Sequence, residues 1–402
     1  MTIYTKLFTP SPKVRLAPEL YPCRFIAPSI SLPFAQRLGR LFLRFMSAAS
    51  YTLSRARPFA ISSRWIIGPR DDLLWFIGPV VLCYLLLSLQ IAGFGALASI
   101  FLIWTYLFDS PHVFSTFTRT YLDREERRQR RRLLLGSLVL LLVGPLAVLL
   151  KVGAFFFVVS ILWSHFHQIK QHYGFAVLYK KKNDDIEPAD NKLDNLFLFS
   201  AFLYPALIFS LNTMAVWRRL LAPLPSLISF LRVSLLVLTA VVAAVWLGRQ
   251  VQRLWARRSL NLPKYALFAA TIPLHWAVLL NTTTRNWFVA VSVIAPLHTL
   301  QYHRLMWFYD RKYSSGEDCK ERYGVAEFIN RRLLHYVAFG VLYGVVLYLL
   351  RRYAGYLGIA AGNTVQQMFL AFLLGPLLIH FHLDSKIWRV RRDPSVGKAL
   401  GV

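Results

Sequence analysis

The sequence predicts an all-α fold: a multi-pass transmembrane helical bundle of about ten spans, with histidine clusters at the cytoplasmic helix ends. Three observations carry that expectation. The 402-residue chain is 56% hydrophobic with a mean hydropathy of +0.45, and only 16% of its residues are charged, against about 25% in an average soluble domain. Runs such as Leu133 to Leu150 and Ser234 to Gly248 hold no charge at all, so they leave no polar skin for a water-soluble core. Basic residues sit just beyond the apolar runs, as in Arg124 to Arg132, Lys180 to Lys182 and Arg389 to Arg392.

The net charge of +28 would suggest nucleic acid in a soluble chain. Juxtamembrane placement instead assigns the charge to topology and to anionic lipid headgroups, with no nucleic-acid partner. Cys23, Cys83 and Cys319 are far apart and form no CxxC, so neither a disulfide framework nor a thiolate metal site is indicated. Residues 1–64 stand apart: ten Lys or Arg, a single acid (Glu19) and no spanning run. They read as a basic leader, or as an extension ahead of a true start at Met46. Residues 65–402 are the transmembrane helical domain.

Segments of roughly 17 to 25 apolar residues fall near 72–91, 93–109, 133–150, 152–173, 195–216, 227–247, 264–281, 286–307, 332–351 and 364–383. The second is short and follows closely on the first, so it also suits a re-entrant segment. Connections after even-numbered spans carry most of the Lys and Arg. Those after odd spans carry only Lys151, Arg218, Arg219, Arg285, Arg351 and Arg352. The positive-inside rule then puts both termini, and every even-span exit, in the cytoplasm. The stretch Ser314 to Arg332 reads as an interfacial helix around Val325, Phe328 and Ile329, and Lys180 to Asp194 as a solvated connector.

Eight of the ten histidines close even-numbered spans: His112 the second, His165, His167 and His172 the fourth, His298 and His303 the eighth, His380 and His382 the tenth. All eight are therefore expected near the cytoplasmic face. At 100° per residue, His165 and His172 share a face with Gln168 between them, His298 shares one with Gln301, and His380 neighbours Asp384. Asp109 lies three residues before His112. Members of an HxH pair point to opposite sides of a regular helix, so one of His165/His167 and one of His380/His382 are structural unless the helix unwinds. His275 and His335 fall outside the set and read as ordinary interfacial residues. Trp163, Tyr173, Trp307 and Trp388 read as an interfacial aromatic belt.

Metal binding explains the cluster economically. Imidazole with carboxylate and no thiolate suits non-haem iron, and ionisable groups at membrane depth mark a functional site by default. The candidate ligands are His112, His165, His167, His172, His298, His303, His380, His382 and Asp384. That is more than one tetrahedral ion needs, so two irons are expected, with zinc the less favoured alternative. Asp109, Gln168 and Gln301 are candidate catalytic or orienting groups, Gln171 beside them, because metal-bound imidazoles donate their second N–H to a partner. No HExxH is present.

In its two HxxxxH boxes, His167 to His172 and His298 to His303, the chain resembles the membrane-bound fatty-acid desaturase and hydroxylase superfamily. It departs from that pattern in having no HxxHH. The resemblance implies a di-iron oxygenase acting on a lipid or other hydrophobic substrate, with electrons from a separate reductase or ferredoxin. Two other readings stand beside it. A transporter would use His and Asp for proton or ion coupling. A metal-dependent membrane hydrolase would use a metal-bound water, there being no GxSxG serine motif. Arg119 and Arg389 stand near the His clusters as anchors or as headgroup contacts.

Overall fold

The computed structural model describes residues 61–94, 97–214, 223–314, 319–356, 363–390 and 393–401; of residues 97–99, 101, 355 and 356 it describes the backbone alone. The leader expected over residues 1–64 lies outside the described residues except for its last four. Those four pack on the helical domain. Ile61–Ser62 pairs in parallel with Leu260–Asn261, and Arg64 bonds through its N–H to Asn183 Oδ1 at 2.9 Å and through Nη1 to Asp184 Oδ2 at 2.8 Å.

Apart from that two-residue pair, the described residues are all-α. The long helices are α1 (Pro69–Ile91), α2 (residues 97–119), α3 (Arg131–Leu149), α4 (Gly153–Lys182) and α5 (Pro188–Thr213). They continue with α6 (Pro225–Trp255), α7 (Leu262–Leu279), α8 (Trp287–Tyr309), α9 (Leu333–Tyr356) and α10 (Thr364–Ile387). Local sequence sets their starts. Pro69, Pro188 and Pro225 supply first-turn residues with no N–H to waste. Asn261, Asn286 and Asn363 cap α7, α8 and α10 by accepting backbone N–H bonds from Lys264, Phe288 and Val365.

Among the described residues, six helices are long and apolar enough to cross a membrane: α1, α3, α5, α6, α9 (over Leu333–Ala354) and α10. Ten spans are expected from the sequence. The difference falls on α2, α4, α7 and α8, the helices that carry His112, His165, His167, His172, His275, His298 and His303. In α4, α7 and α8 the polar side chains, histidines among them, lower the apolarity, whereas part of α2 is described by its backbone alone. The outer helices turn apolar surface outward; α6 buries only 11% of its most apolar stretch, as expected where hydrocarbon rather than water is the solvent.

Small residues let backbones approach. In the Gly340-x-x-x-Gly344 stretch of α9, a Cβ on Gly340 would meet Pro111 Cβ at 2.7 Å, and one on Gly344 would meet the Tyr106 carbonyl oxygen at 1.9 Å. This close α2–α9 contact is the packing that small-xxx-small patterns allow. Gly144 and Gly375 do the same between α3 and α10, against Ala371 O at 2.6 Å and Leu141 Cα at 2.8 Å.

The segment expected as a solvated connector is instead locked by ion pairs. Lys264, fully buried, reaches Asp185 at 3.1 Å and Asp194 at 3.2 Å. Lys180 also pairs with Asp194, and Arg253 reaches both Asp185 and Asp190 at 2.7 Å. Buried charges persist only when paired in this way. The network ties one end of α4, α5, α6 and α7 together and so fixes the floor on which α4 carries its histidines.

Candidate metal centre

Four histidines from four helices meet inside the bundle: His112 of α2, His167 of α4, His298 of α8 and His380 of α10. Each is buried, and one nitrogen from each lies within 4.8 Å of all the others. Nε2 of His167 and Nε2 of His380 are 3.2 Å apart. Two nitrogens held about 2.1 Å from one ion in a tetrahedron stand roughly 3.4 Å apart, so this spacing already suits a shared ion. The His112 ring stands edge-on to those of His298 and His380, with centroids 4.7 and 4.4 Å away.

The backbone helps aim these rings. Ahead of His112, α2 passes through a π-helical turn, Thr105–Asp109, a feature frequent at functional sites. Ser110 Oγ caps it by donating to the Thr105 carbonyl at 2.8 Å. Pro296 lies inside α8 two residues before His298, where its missing N–H removes one helical hydrogen bond.

A hydroxyl relay holds His380. Its Nδ1 lies 2.8 Å from Thr116 Oγ1, and Thr116 Oγ1 donates to Asp384 Oδ1 at 2.9 Å. Tyr302 Oη donates to the same carboxylate oxygen at 2.9 Å. The chain is self-consistent in one sense only: His380 Nδ1–H donates to Thr116, and Thr116 to Asp384. That leaves the Nε2 lone pair of His380 facing the other histidines, as ligand duty requires. Asp384 serves in this relay, 3.8 Å from His380 Nδ1.

A direct hydrogen bond from His167 Nε2 to His380 Nε2 would satisfy that pair without any ion. It cannot satisfy the rest. His112 is 1% exposed and neither of its ring nitrogens has a hydrogen-bond partner, and Nδ1 of His298 has none either. The nearest carboxylate, Asp109 Oδ1, is 3.7 Å from His112 Nδ1, too long for a hydrogen bond; it accepts instead from Thr299 Oγ1 at 3.3 Å. Orphaned buried nitrogens each cost about 1–3 kcal/mol. An ion at the centre of the four rings would take one nitrogen of each, which removes that cost for one of the two His112 nitrogens, so the residues present fit a metal.

The remaining candidates lie elsewhere. His165 and His172 share a face, and that face turns away from the four-His centre toward His275, with ring centroids 6.0 and 5.7 Å from it. Nδ1 of His172 donates to the Gln168 carbonyl at 2.8 Å, and Nδ1 of His275 to the Thr271 carbonyl at 2.9 Å. In both, Nε2 is buried with no partner. His165 Nε2 bonds to the Phe202 carbonyl at 3.1 Å. His165 and Gln168 line a cavity of about 20 Å³, room for about one water. His303 spends both nitrogens, on the Tyr336 hydroxyl at 2.7 Å and the Phe108 carbonyl at 2.9 Å. His382 is half-buried on the far side of α10. Gln171 and Gln301 brace backbone rather than rings: Gln171 Nε2 donates to the His298 carbonyl at 2.9 Å, and Gln301 Nε2 to the Phe76 carbonyl at 2.6 Å. Arg119 is fully buried between the Tyr309 and Trp388 rings, 4.1 and 3.8 Å from their centroids, and donates to the Ile387 carbonyl, so a surface headgroup does not reach it.

Sequence reasoning missed Thr116, Tyr302 and the company His275 keeps. For the first two the signal was available: Thr116 follows His112 by four residues and Tyr302 follows His298 by four, the spacing at which Asp384 follows His380. No protein-family model matches the chain, and neither a curated protein nor a solved structure was found that is similar to it.

Proposed function

We propose that this chain is a membrane-embedded metal-dependent oxidoreductase of hydroxylase or desaturase type, acting on a lipid or another hydrophobic substrate. The observation that carries the reading is the convergence of His112, His167, His298 and His380, with the nitrogens of His112 buried and unpartnered. The donor set is all imidazole, which suits iron, zinc or copper. Iron bound there supplies oxygen activation for attack on a C–H bond, with electrons delivered by a separate reductase or ferredoxin. The four histidines hold the ion neutral-ligand by neutral-ligand, the Thr116–Asp384–Tyr302 relay fixes the His380 tautomer, and the surrounding apolar helices keep bulk water out. One ion at the four-His centre is the reading favoured here. Two ions, as the histidine count suggests, would place the second at His172 and His275, whose Nε2 atoms are free.

The topology proposed with it keeps all ten expected segments as spans, both termini in the cytoplasm and the centre near the cytoplasmic face, with anionic lipid around the basic helix ends. A zinc-loaded hydrolase is the second reading, since four imidazoles also suit zinc. Loading the purified protein with Fe(II) or Zn(II), supplying membrane lipid, oxygen and a ferredoxin system, and analysing the lipids by mass spectrometry tests both. Iron-dependent products with one added oxygen or two lost hydrogens, absent from His112→Ala, are expected. Hydrolysis products with zinc would replace this reading by the second, and unchanged lipids under both metals would overturn both.

A further inference from the structure

A metal-bound imidazole is aimed by the group to which its second nitrogen donates. His380 has such a partner in Thr116 Oγ1, 2.8 Å from its Nδ1. His112 has none: neither ring nitrogen has a hydrogen-bond partner, and an ion would satisfy only one of them. Nδ1 is bonded to the ring carbon that joins the side-chain stem, so it stays beside α2, whereas Nε2 sits at the tip of the ring. The tip is the end that reaches rings on other helices, as Nε2 of His167 and Nε2 of His380 do at 3.2 Å. Nε2 of His112 is therefore the nitrogen for the ion, and Nδ1–H is left on the side of its own helix.

On that side stands Asp109, three residues back on α2, with Oδ1 3.7 Å from Nδ1. The gap exceeds a hydrogen bond by about half an ångström, and little holds the carboxylate back from closing it. Its side chain is 35% exposed, and the bond it accepts from Thr299 Oγ1 is long, at 3.3 Å. Among the described residues, the group that can share an ion contains no carboxylate, so Asp109 is not itself a ligand there. His303 also lies within electrostatic reach of Asp109, but Tyr336 and the Phe108 carbonyl already occupy both of its nitrogens. A cation on Nε2 draws electron density from the His112 ring and makes Nδ1–H a stronger donor, and a carboxylate is its best acceptor.

We infer that Asp109 is a positioning residue of the metal centre: when the ion is bound, its carboxylate accepts the Nδ1–H of His112 and fixes that ring with Nε2 toward the ion. The inference rests on the four-His centre holding a metal, and it supplies the orienting partner that His112 lacks. It also gives Asp109 two roles in turn. In the empty protein the carboxylate accepts from Thr299 of α8; in the loaded protein it serves His112.

The probe is Zn(II), shared between the full chain in detergent and a chromophoric chelator, with Asp109→Ala, Asp109→Asn and Thr299→Val beside the native protein. Asp109→Ala should bind zinc about 10–100-fold more weakly. Asp109→Asn keeps an oxygen acceptor without the charge and should fall between the two. Metal-free Asp109→Ala should unfold at the native temperature, because its carboxylate is not bonded to His112 before loading. Thr299→Val removes the competing donor at nearly constant volume, so its zinc affinity should be unchanged or tighter. If Asp109 served only to tie α2 to α8, Thr299→Val would lose as much zinc affinity as Asp109→Ala, and both would unfold earlier without metal. That result overturns the inference, and so does zinc held equally well by Asp109→Ala. Should Asp109→Ala not elute as a folded species, Asp109→Asn carries the test, with a loss of about threefold or more expected. A native chain that binds no zinc overturns this inference together with the metal reading, whereas native binding with no loss in the Asp109 variants overturns this inference alone.

Discussion

Thr116→Val changes one atom's chemistry at nearly constant volume and cuts the relay behind His380. In the native chain, Thr116 Oγ1 is fully buried, 2.8 Å from His380 Nδ1, 2.9 Å from Asp384 Oδ1 and 2.9 Å from Tyr302 Oη. The valine methyl offers no acceptor to His380 and no donor to Asp384. His380 Nδ1–H is stranded, at about 1–3 kcal/mol, and a hydrogen bond to a carboxylate worth about 1.5–3 kcal/mol is lost. Relaxation recovers part of this, so a loss of roughly 2–4 kcal/mol of stability is expected. The ring also loses the partner that sets its tautomer, and such outer partners are worth about 10–100-fold in metal affinity. Competition of Zn(II) between the protein and a chromophoric chelator measures the second effect, and thermal unfolding in detergent the first. Thr116→Ser keeps the oxygen and should restore affinity to within about threefold, well inside the range of the lost partner. A Thr116→Val protein that folds and binds Zn(II) as tightly as the native chain would refute the claim that this relay orients a ligand.

Four further outcomes follow from the same geometry. His303→Phe should leave metal stoichiometry unchanged by elemental analysis, because both nitrogens of His303 are already bonded to protein, whereas His167→Ala should lower it. His172→Ala should leave one ion per chain if the four-His centre binds alone, and its stoichiometry relative to the native chain counts any second ion. Gly344→Ala should cost about 1–3 kcal/mol or more by overpacking, read as a lower unfolding temperature, because its Cβ would fall 1.9 Å from the Tyr106 carbonyl. Asp310, just past the end of α8, is raised to about 8 by burial, with Lys312 and Arg119 only partly offsetting it. The folded state therefore keeps a proton that the unfolded chain releases above about pH 4, and stability falls as pH rises until it flattens past about 8. Asp310→Asn should reduce that slope between pH 6 and 8 by up to about 1.4 kcal/mol per pH unit, measured by unfolding at each pH.

How much of this was legible in the sequence depends on periodicity. Helical class, the long apolar segments and the concentration of His at helix ends all follow from spacing and composition, since 100° per residue is a local property. The same arithmetic separates His165 from His167 on α4 and puts His165 with His172, and the structure has them on those opposite sides. It cannot say which side meets the other helices. The choice of His167 over His165, and of His298 over His303, is set by how α4 and α8 rotate against α2 and α10. That rotation goes with contacts distant in sequence, such as Gln171 on the His298 carbonyl, Gln301 on the Phe76 carbonyl and His165 on the Phe202 carbonyl. His275 was invisible for the same reason: alone in α7, it has no neighbour in sequence to mark it, and only packing brings it beside His172. The ion-pair network at Asp185, Asp190 and Asp194 was hidden too, because a short acidic segment looks alike whether it faces water or a buried Lys264.

The most direct test of the central claim is metal content and coordination in the full chain purified under conditions that retain iron, with His112→Ala beside it. The account predicts stoichiometric metal in the native protein, X-ray absorption showing a first shell of about four imidazole nitrogens near 2.1 Å, and loss of the ion from a His112→Ala protein that still elutes as a folded species. Absence of stoichiometric metal after Fe(II) and Zn(II) loading, or an ion held equally well without His112, would contradict it.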